Sequence, residues 1–194
     1  MKRVGVTGGM GCGKSTVVAE FKALGVSCFV ADSVAATYYN EPDFIRTIAD
    51  HFGTEVLDTD GHVNKQRLAA CVFSDKKQLE RLNAIVHPRV WADFEAFCHQ
   101  HKEEHYLLFE SAILYEHHFD RRMDCVVGVY LDLEERLKRL SERDHASRET
   151  LLARINNQDP AEEILTRADF VVLNYEGNPR KRQVAYIDSI LRKS

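Results

Sequence analysis

The segment Val4-Gly5-Val6-Thr7-Gly8-Gly9-Met10-Gly11-Cys12-Gly13-Lys14-Ser15-Thr16 runs from apolar residues through a glycine-rich turn to a lysine and two hydroxyl residues. From Gly8 to Ser15 it fits G-x-x-x-x-G-K-[ST]. The apolar stretch Val4 to Thr7 reads as a strand, and Ser15 to Leu24 reads as a helix. A loop between a strand and a helix with this spacing is a phosphate cradle. Glycines let the backbone curl so that its N–H groups turn inward, and the helix adds the positive end of its dipole. Lys14 can reach the β- and γ-phosphates of a nucleotide, and Ser15 can hold Mg²⁺. A dinucleotide-binding reading fails, because Lys14 stands where the last glycine of G-x-G-x-x-G is needed.

Outward from this loop, four further apolar runs suit strands buried on both faces: Cys28 to Ala31, Tyr106 to Phe109, Cys125 to Leu131 and Phe170 to Leu173. Helical patterns lie at Leu133 to Leu140, between the last two runs, and at Arg182 to Leu191, after them as a C-terminal helix. Ser33 to Glu104 has few strand signals and much helical periodicity, as an insertion on an α/β core does. Pro88 is expected to break or start a helix there.

Three acids close apolar runs: Asp32, Glu110 and Asp132. Ligands of open α/β sheets bind at the carboxyl ends of the strands, so each is a site candidate. Each also has a plainer reading. Asp132 fits a helix cap with Glu135 completing the box, Asp32 a cap, and Glu110 a strand-end ion-pair partner. Five arginines follow: Arg136, Arg139, Arg143, Arg148 and Arg154. Ser141 to Arg148 interrupts the helical pattern and suits a flap carrying arginines over a triphosphate, while a solvated charge run is the alternative for some of them.

The chain has 194 residues, 44% of them hydrophobic, and a net charge of -4. It is long enough for a core and carries no global field for nucleic acid or anionic lipid. No apolar run reaches the roughly 20 residues of a membrane helix, and no signal-peptide stretch follows the N-terminal charges. The five cysteines are odd in number and include no CxxC, so neither a disulfide frame nor a zinc site is signalled. A cytoplasmic protein, with most of its cysteines buried, is expected.

Residues across nearly the whole chain resemble the dephospho-CoA kinases. The phosphate loop is similar to their opening V-T-G-G-I-G-S-G-K-S-T, with Cys12 in place of serine. Val30-Ala31-Asp32 falls at their D-A-D stretch, keeping only its second acid. Leu82-Asn83-Ala84-Ile85-Val86-His87-Pro88 resembles L-N-x-I-x-H-P, and Leu107-Leu108-Phe109-Glu110 falls at P-L-L-F-E, with Tyr106 replacing the proline. Arg154-Ile155-Asn156-Asn157-Gln158 and Ala168-Asp169-Phe170-Val171-Val172-Leu173-Asn174 resemble R-I-x-x-Q and A-D-x-V-I-x-N. Lys65, after Asn64, stands where arginine is usual.

The resemblance implies a P-loop NTPase fold: a five-stranded parallel sheet flanked by helices, with a helical substrate-binding insertion and a lid. Residues 1–194 would form a single kinase domain, with the substrate subdomain at 33–105 and the lid at 141–150. It implies ATP and Mg²⁺ as cofactors and dephospho-CoA as the small-molecule substrate. No nucleic-acid or membrane partner is expected, and the chain would be a monomer or a weak homo-oligomer. Asp32 would be the base, Lys14 and Arg143 the charge stabilisers, and Ser15 the metal contact. Gly8, Gly9, Gly11, Cys12, Gly13, Lys14, Ser15, Thr16, Arg139 and Asn174 would hold the nucleotide. Glu110 and His87 join Asp32 toward the acceptor, His87 either bonding substrate or fixing a bend. Another small-molecule or nucleotide kinase on the same fold is the nearest rival. A GTP switch is opposed by Asn64-Lys65-Gln66-Arg67, which lacks the aspartate of N-K-x-D and lies in the helical block.

Overall fold

A computed structural model describes residues 1–73, 75–156, 158 and 160–193. Asn157, quoted above within the R-I-x-x-Q segment, lies outside the described residues. The chain divides into two compact units: Met1–Val30 with Cys98–Ser194, and Ala31–Phe97.

The first unit is built on a sheet of five parallel strands, β1 (Lys2–Thr7), β2 (Cys28–Val30), β3 (Tyr106–Glu110), β4 (Cys125–Tyr130) and β5 (Phe170–Leu173). Their spatial order is β2-β3-β1-β4-β5. The connection leaving β1 crosses to the β2 edge, and the one leaving β3 crosses to the β4 side. The loops therefore part between β1 and β3, which opens a crevice at their carboxyl ends. In that register Val6 pairs with Glu110, which puts the last residue of β3 beside the start of the glycine loop. The strands match the expected runs within one or two residues, and Glu110 proves to be inside β3.

Apolar side chains cover both faces, as parallel strands require. On one side α1 (Lys14–Ala23) contributes Val17, Val18 and Phe21, and α9 (Arg180–Leu191) contributes Val184, Ile187 and Leu191. Phe21 meets Tyr106 edge to face, with ring centroids 6.5 Å apart. Elsewhere in this unit Phe29 stacks on Phe109 at 5.7 Å, and Phe119 closes on Phe109 at 5.6 Å. A smaller core of Leu137, Leu140, Leu151 and Ile155 joins α6 (Leu133–Asp144) to α7 (Arg148–Ile155). Helix α6 runs further than its apolar pattern indicates, so the interruption shortens to His145–Ser147. Its cap is Asp132, whose carboxylate accepts from the Glu135 N–H at 2.9 Å. Helix α8 (Ala161–Arg167) precedes β5.

The second unit is helical: α2 (Ala31–Tyr38), α3 (Pro42–Phe52), α4 (Lys65–Phe73) and most of α5 (Lys76–Gln100). In α3, Pro42 starts the helix and Phe44, Ile48 and Phe52 bury one stripe at helical spacing. Asn64 caps α4, accepting from the Gln66 and Arg67 N–H groups at 3.1 Å each. Tyr38 donates to Asp93 at 2.6 Å, and Arg89, ion-paired with Glu41, lies over the Tyr38 ring at 4.6 Å.

The expected break at Pro88 is absent: α5 continues through it, and His87 is helical, not extended. Proline removes one intrahelical hydrogen bond, but buried Val90 and Phe94 anchor the turns that follow. Tertiary packing outweighs local propensity here.

Of the five cysteines, all free, Cys12 and Cys98 are buried while Cys28, Cys71 and Cys125 are half-buried. The expectation that most are buried therefore holds only in part. Burial pushes the Cys28 thiol up to about 12 and the Cys125 thiol up to about 11. Among the described residues no helix is long and apolar enough to cross a membrane.

Candidate active site

The loop from Gly8 to Gly13 joins β1 to α1, so the first turn of α1 faces the crevice. Gly13, immediately before α1, has φ of 86°, a left-handed value that a side chain resists. A Cβ there would also collide with the Asn174 amide. Among the described residues the backbone N–H groups of Gly11, Gly13 and Ser15 make no hydrogen bond. Unpaired backbone donors gathered at a helix start are an anion cradle. Lys14 Nζ donates to the Gly8 carbonyl at 2.9 Å, spanning the loop it serves. Ser15 and Thr16 are exposed in the first turn of α1.

Three side chains hold the loop from outside. Asn174, 1% exposed, donates through Nδ2 to the Cys12 carbonyl at 2.8 Å. Gln158 Oε1 accepts from the Met10 N–H at 2.7 Å. Arg136 Nε donates to the Met10 carbonyl at 2.8 Å. Cys12 points into the core at 1% exposure, and burial raises its thiol pKa while Lys14 pulls the other way. The charge of Glu110, itself buried, also raises it, which puts that carboxylate within electrical reach of the loop.

The five arginines separate by position. Arg136 and Arg139 turn inward, Arg139 donating to the Asn174 carbonyl at 2.9 Å. Arg143 pairs with Asp144 at 2.6 Å, and Arg154 binds the same carboxylate at 2.9 Å. Arg148 pairs with Glu134 at 2.6 Å, on the surface. Arg143, expected over the phosphates, is thus engaged at the end of α6 in this structure. Asn174, expected beside a base, has its amide committed to the loop and to Arg180, whose Nη1 donates to Oδ1 at 3.0 Å. The residues after Asn174 form the open surface instead: Tyr175, Asn178, Pro179 and Arg180, with Arg139, line a cleft of about 630 Å³.

In the helical unit a cleft of about 360 Å³ is lined by Asp32, Ala35, Ala36, Tyr39, Lys65 and Leu68, with α4 and α5 completing it. Asp32 is in the first turn of α2, two residues after Val30 ends β2. Lys65 Nζ lies over the Tyr39 ring at 5.5 Å. A carboxylate on an otherwise apolar wall, with one cation, suits a nucleoside-like acceptor. His87 is half-buried within α5 and is not among the cleft's lining residues. Arg136, named above only among the flap arginines, and Gln158, quoted only within R-I-x-x-Q, are loop contacts that the sequence reading did not assign. An arginine among charged helical neighbours reads as solvated, and only the buried pair Leu137 and Leu140 beside it hinted otherwise.

Comparison with known proteins gives a consistent family. The family profile described as dephospho-CoA kinase matches residues 2–179. A dephospho-CoA kinase of Bacteroides fragilis strain YCH46 is 36% identical over 97% of this chain and 92% of its own length. One of Listeria monocytogenes serovar 1/2a is 34% identical over 95% of this chain and 94% of its own. A crystal structure of a Thermus thermophilus protein, 30% identical, superposes with a TM-score of 0.88 over 99% of this chain and 97% of that one.

Proposed function

This chain belongs to the dephospho-CoA kinase family, and we propose that it transfers the γ-phosphoryl group of ATP to the ribose 3′-hydroxyl of dephospho-CoA, giving coenzyme A and ADP, the last step of coenzyme A synthesis. The observation that carries this reading is the loop itself: N–H groups of Gly11, Gly13 and Ser15, unspent among the described residues, beside Lys14. The triphosphate sits against them, and Lys14 leaves the Gly8 carbonyl to reach the β- and γ-oxygens. Gly8, Gly9, Cys12 and Thr16 complete the backbone wall. The cleft at Arg139 and Tyr175 receives the adenine of ATP.

Asp32 takes the proton of the 3′-hydroxyl as the new O–P bond forms and the bond to the ADP oxygen breaks. The apolar cleft that Asp32 lines receives the acceptor nucleoside. Glu110, buried at the end of β3, is a further contact on the acceptor side, and His87 fixes α5 within the helical unit. The segment 141–150 acts as the lid, and Arg143 exchanges Asp144 for the transferring group when it closes. Closure excludes water, whose competing attack would waste ATP.

Mg²⁺ fits the donor set, since the exposed Ser15 hydroxyl next to the phosphate cradle offers the oxygen ligation this hard cation prefers. Bound there, it neutralises phosphate charge. The protein acts in the cytoplasm as one kinase domain, a monomer or weak homo-oligomer, without nucleic-acid or membrane partners.

The test is an ADP-forming assay with dephospho-CoA and with nucleoside monophosphates as acceptors, the product weighed by mass spectrometry. Dephospho-CoA gaining one phosphoryl group supports the reading. Phosphorylation of a nucleoside monophosphate alone overturns it, and so does an unchanged rate in K14A.

A further inference from the structure

Arg136 is 4% exposed, and its surroundings are unusual for a buried cation. Among the described residues no carboxylate forms an ion pair with it, and its only hydrogen bond is from Nε to the Met10 carbonyl. Its Nη2, Cζ and Nη1 lie 2.6, 2.8 and 3.0 Å from where a Cβ on Gly9 would stand. The guanidinium therefore lies against the backbone of Gly9, in the space that a side chain would fill. Burial lowers its pKa from the ordinary value, and the one carboxylate that opposes this, Glu162, does so without an ion pair.

A buried charge without a partner costs stability, and replacing it by a neutral side chain removes that cost. A fold that keeps such a cation against the phosphate loop gains from it only when negative charge arrives. Donation to Met10 places Arg136 on the carbonyl side of the loop, whereas phosphate is received on the N–H side. It therefore acts through the loop.

We propose that Arg136 is a positioning residue whose uncompensated charge, held against Gly9, is completed by the bound nucleotide phosphates, so that it raises phosphate affinity at the expense of the empty protein. The claim rests on the loop being the nucleotide site. It commits one arginine of α6 to the loop and assigns Gly9 the purpose of admitting it.

The experiment compares wild type, R136Q, R136K and K14A, with ADP and inorganic pyrophosphate as probes, by calorimetry and thermal unfolding. Expected for R136Q are an unliganded midpoint equal to or above wild type and an ADP affinity lower by about 10-fold, the effect of a through-space charge attraction across the loop. The ligand-induced rise in midpoint shrinks accordingly. R136K keeps the charge and recovers part of the affinity; it also serves if R136Q does not fold. KM for ATP rises while KM for the acceptor is unchanged. A merely structural residue would instead lower the unliganded midpoint and leave the ligand-induced rise intact, and that result overturns the proposal. So does equal weakening in R136K and R136Q, which would show that charge has no part. If wild type and K14A bind ADP alike, the fault lies in the placement of the nucleotide, and the two failures are distinguishable.

Discussion

The side-chain amide of Asn174 donates to the carbonyl of Cys12 at 2.8 Å, joining residues 162 positions apart in the sequence. The contact ties the end of β5 to the glycine loop after β1, and it is buried. Asn174→Ala leaves a buried carbonyl unsatisfied and removes a contact beside Gly13. Urea unfolding should show a loss of about 1–3 kcal/mol, and KM for ATP should rise. An unchanged unfolding midpoint would mean that water replaces the amide without cost.

Asp32→Asn keeps size and shape but cannot take a proton. Turnover with dephospho-CoA is expected to drop by about 10²–10⁴, while ADP still binds, because the cradle is built from other residues. Stopped-turnover and calorimetric measurements on one preparation separate the two. Near-normal turnover would dismiss Asp32 as the base.

Hydrogen bonds from Arg143, and then Arg154, hold the Asp144 carboxyl at about 2, down from an ordinary 3.8. A depressed acid binds its proton less readily when folded. The stabilisation is complete above the unfolded value, and it is lost as pH falls through about 2. Protection of the amides of α6 and α7, relative to intrinsic exchange at each pH, should fall across that window in the wild type. In Asp144→Asn the added pH dependence should be missing, and an identical profile in both proteins would show that the two ion pairs contribute nothing.

Pro88 sits exposed inside α5 and deprives the helix of one N–H. Pro88→Ala restores the donor to the Ala84 carbonyl, and the protein should gain about 1–3 kcal/mol. A lower thermal midpoint would mean that the backbone at Pro88 is bent in a way alanine does not support.

The local pattern around Val4–Thr16 was sufficient to place a glycine loop between β1 and α1, because such a turn depends on glycine freedom at fixed spacing between a strand and a helix. Short apolar runs likewise located the strands, since a strand covered on both faces tolerates little else. The same logic misled at Pro88, where packing of Val90 and Phe94 outweighs the missing hydrogen bond. The arginines of α6 could not be sorted from the sequence. Arg136 and Arg143 are two turns apart on one helix, yet the first is 4% exposed against Gly9 while the second lies on the surface with Asp144.

The sequence by itself determined that this chain holds phosphate on a parallel α/β sheet, because spacing along a strand, a turn and a helix is a local property. The tertiary structure alone decided which side chains serve that loop. Asn174, Gln158 and Arg136 reach it across more than a hundred residues of chain, and only the pairing of β5 with β4, itself beside β1, and the packing of α6 on the loop bring them there.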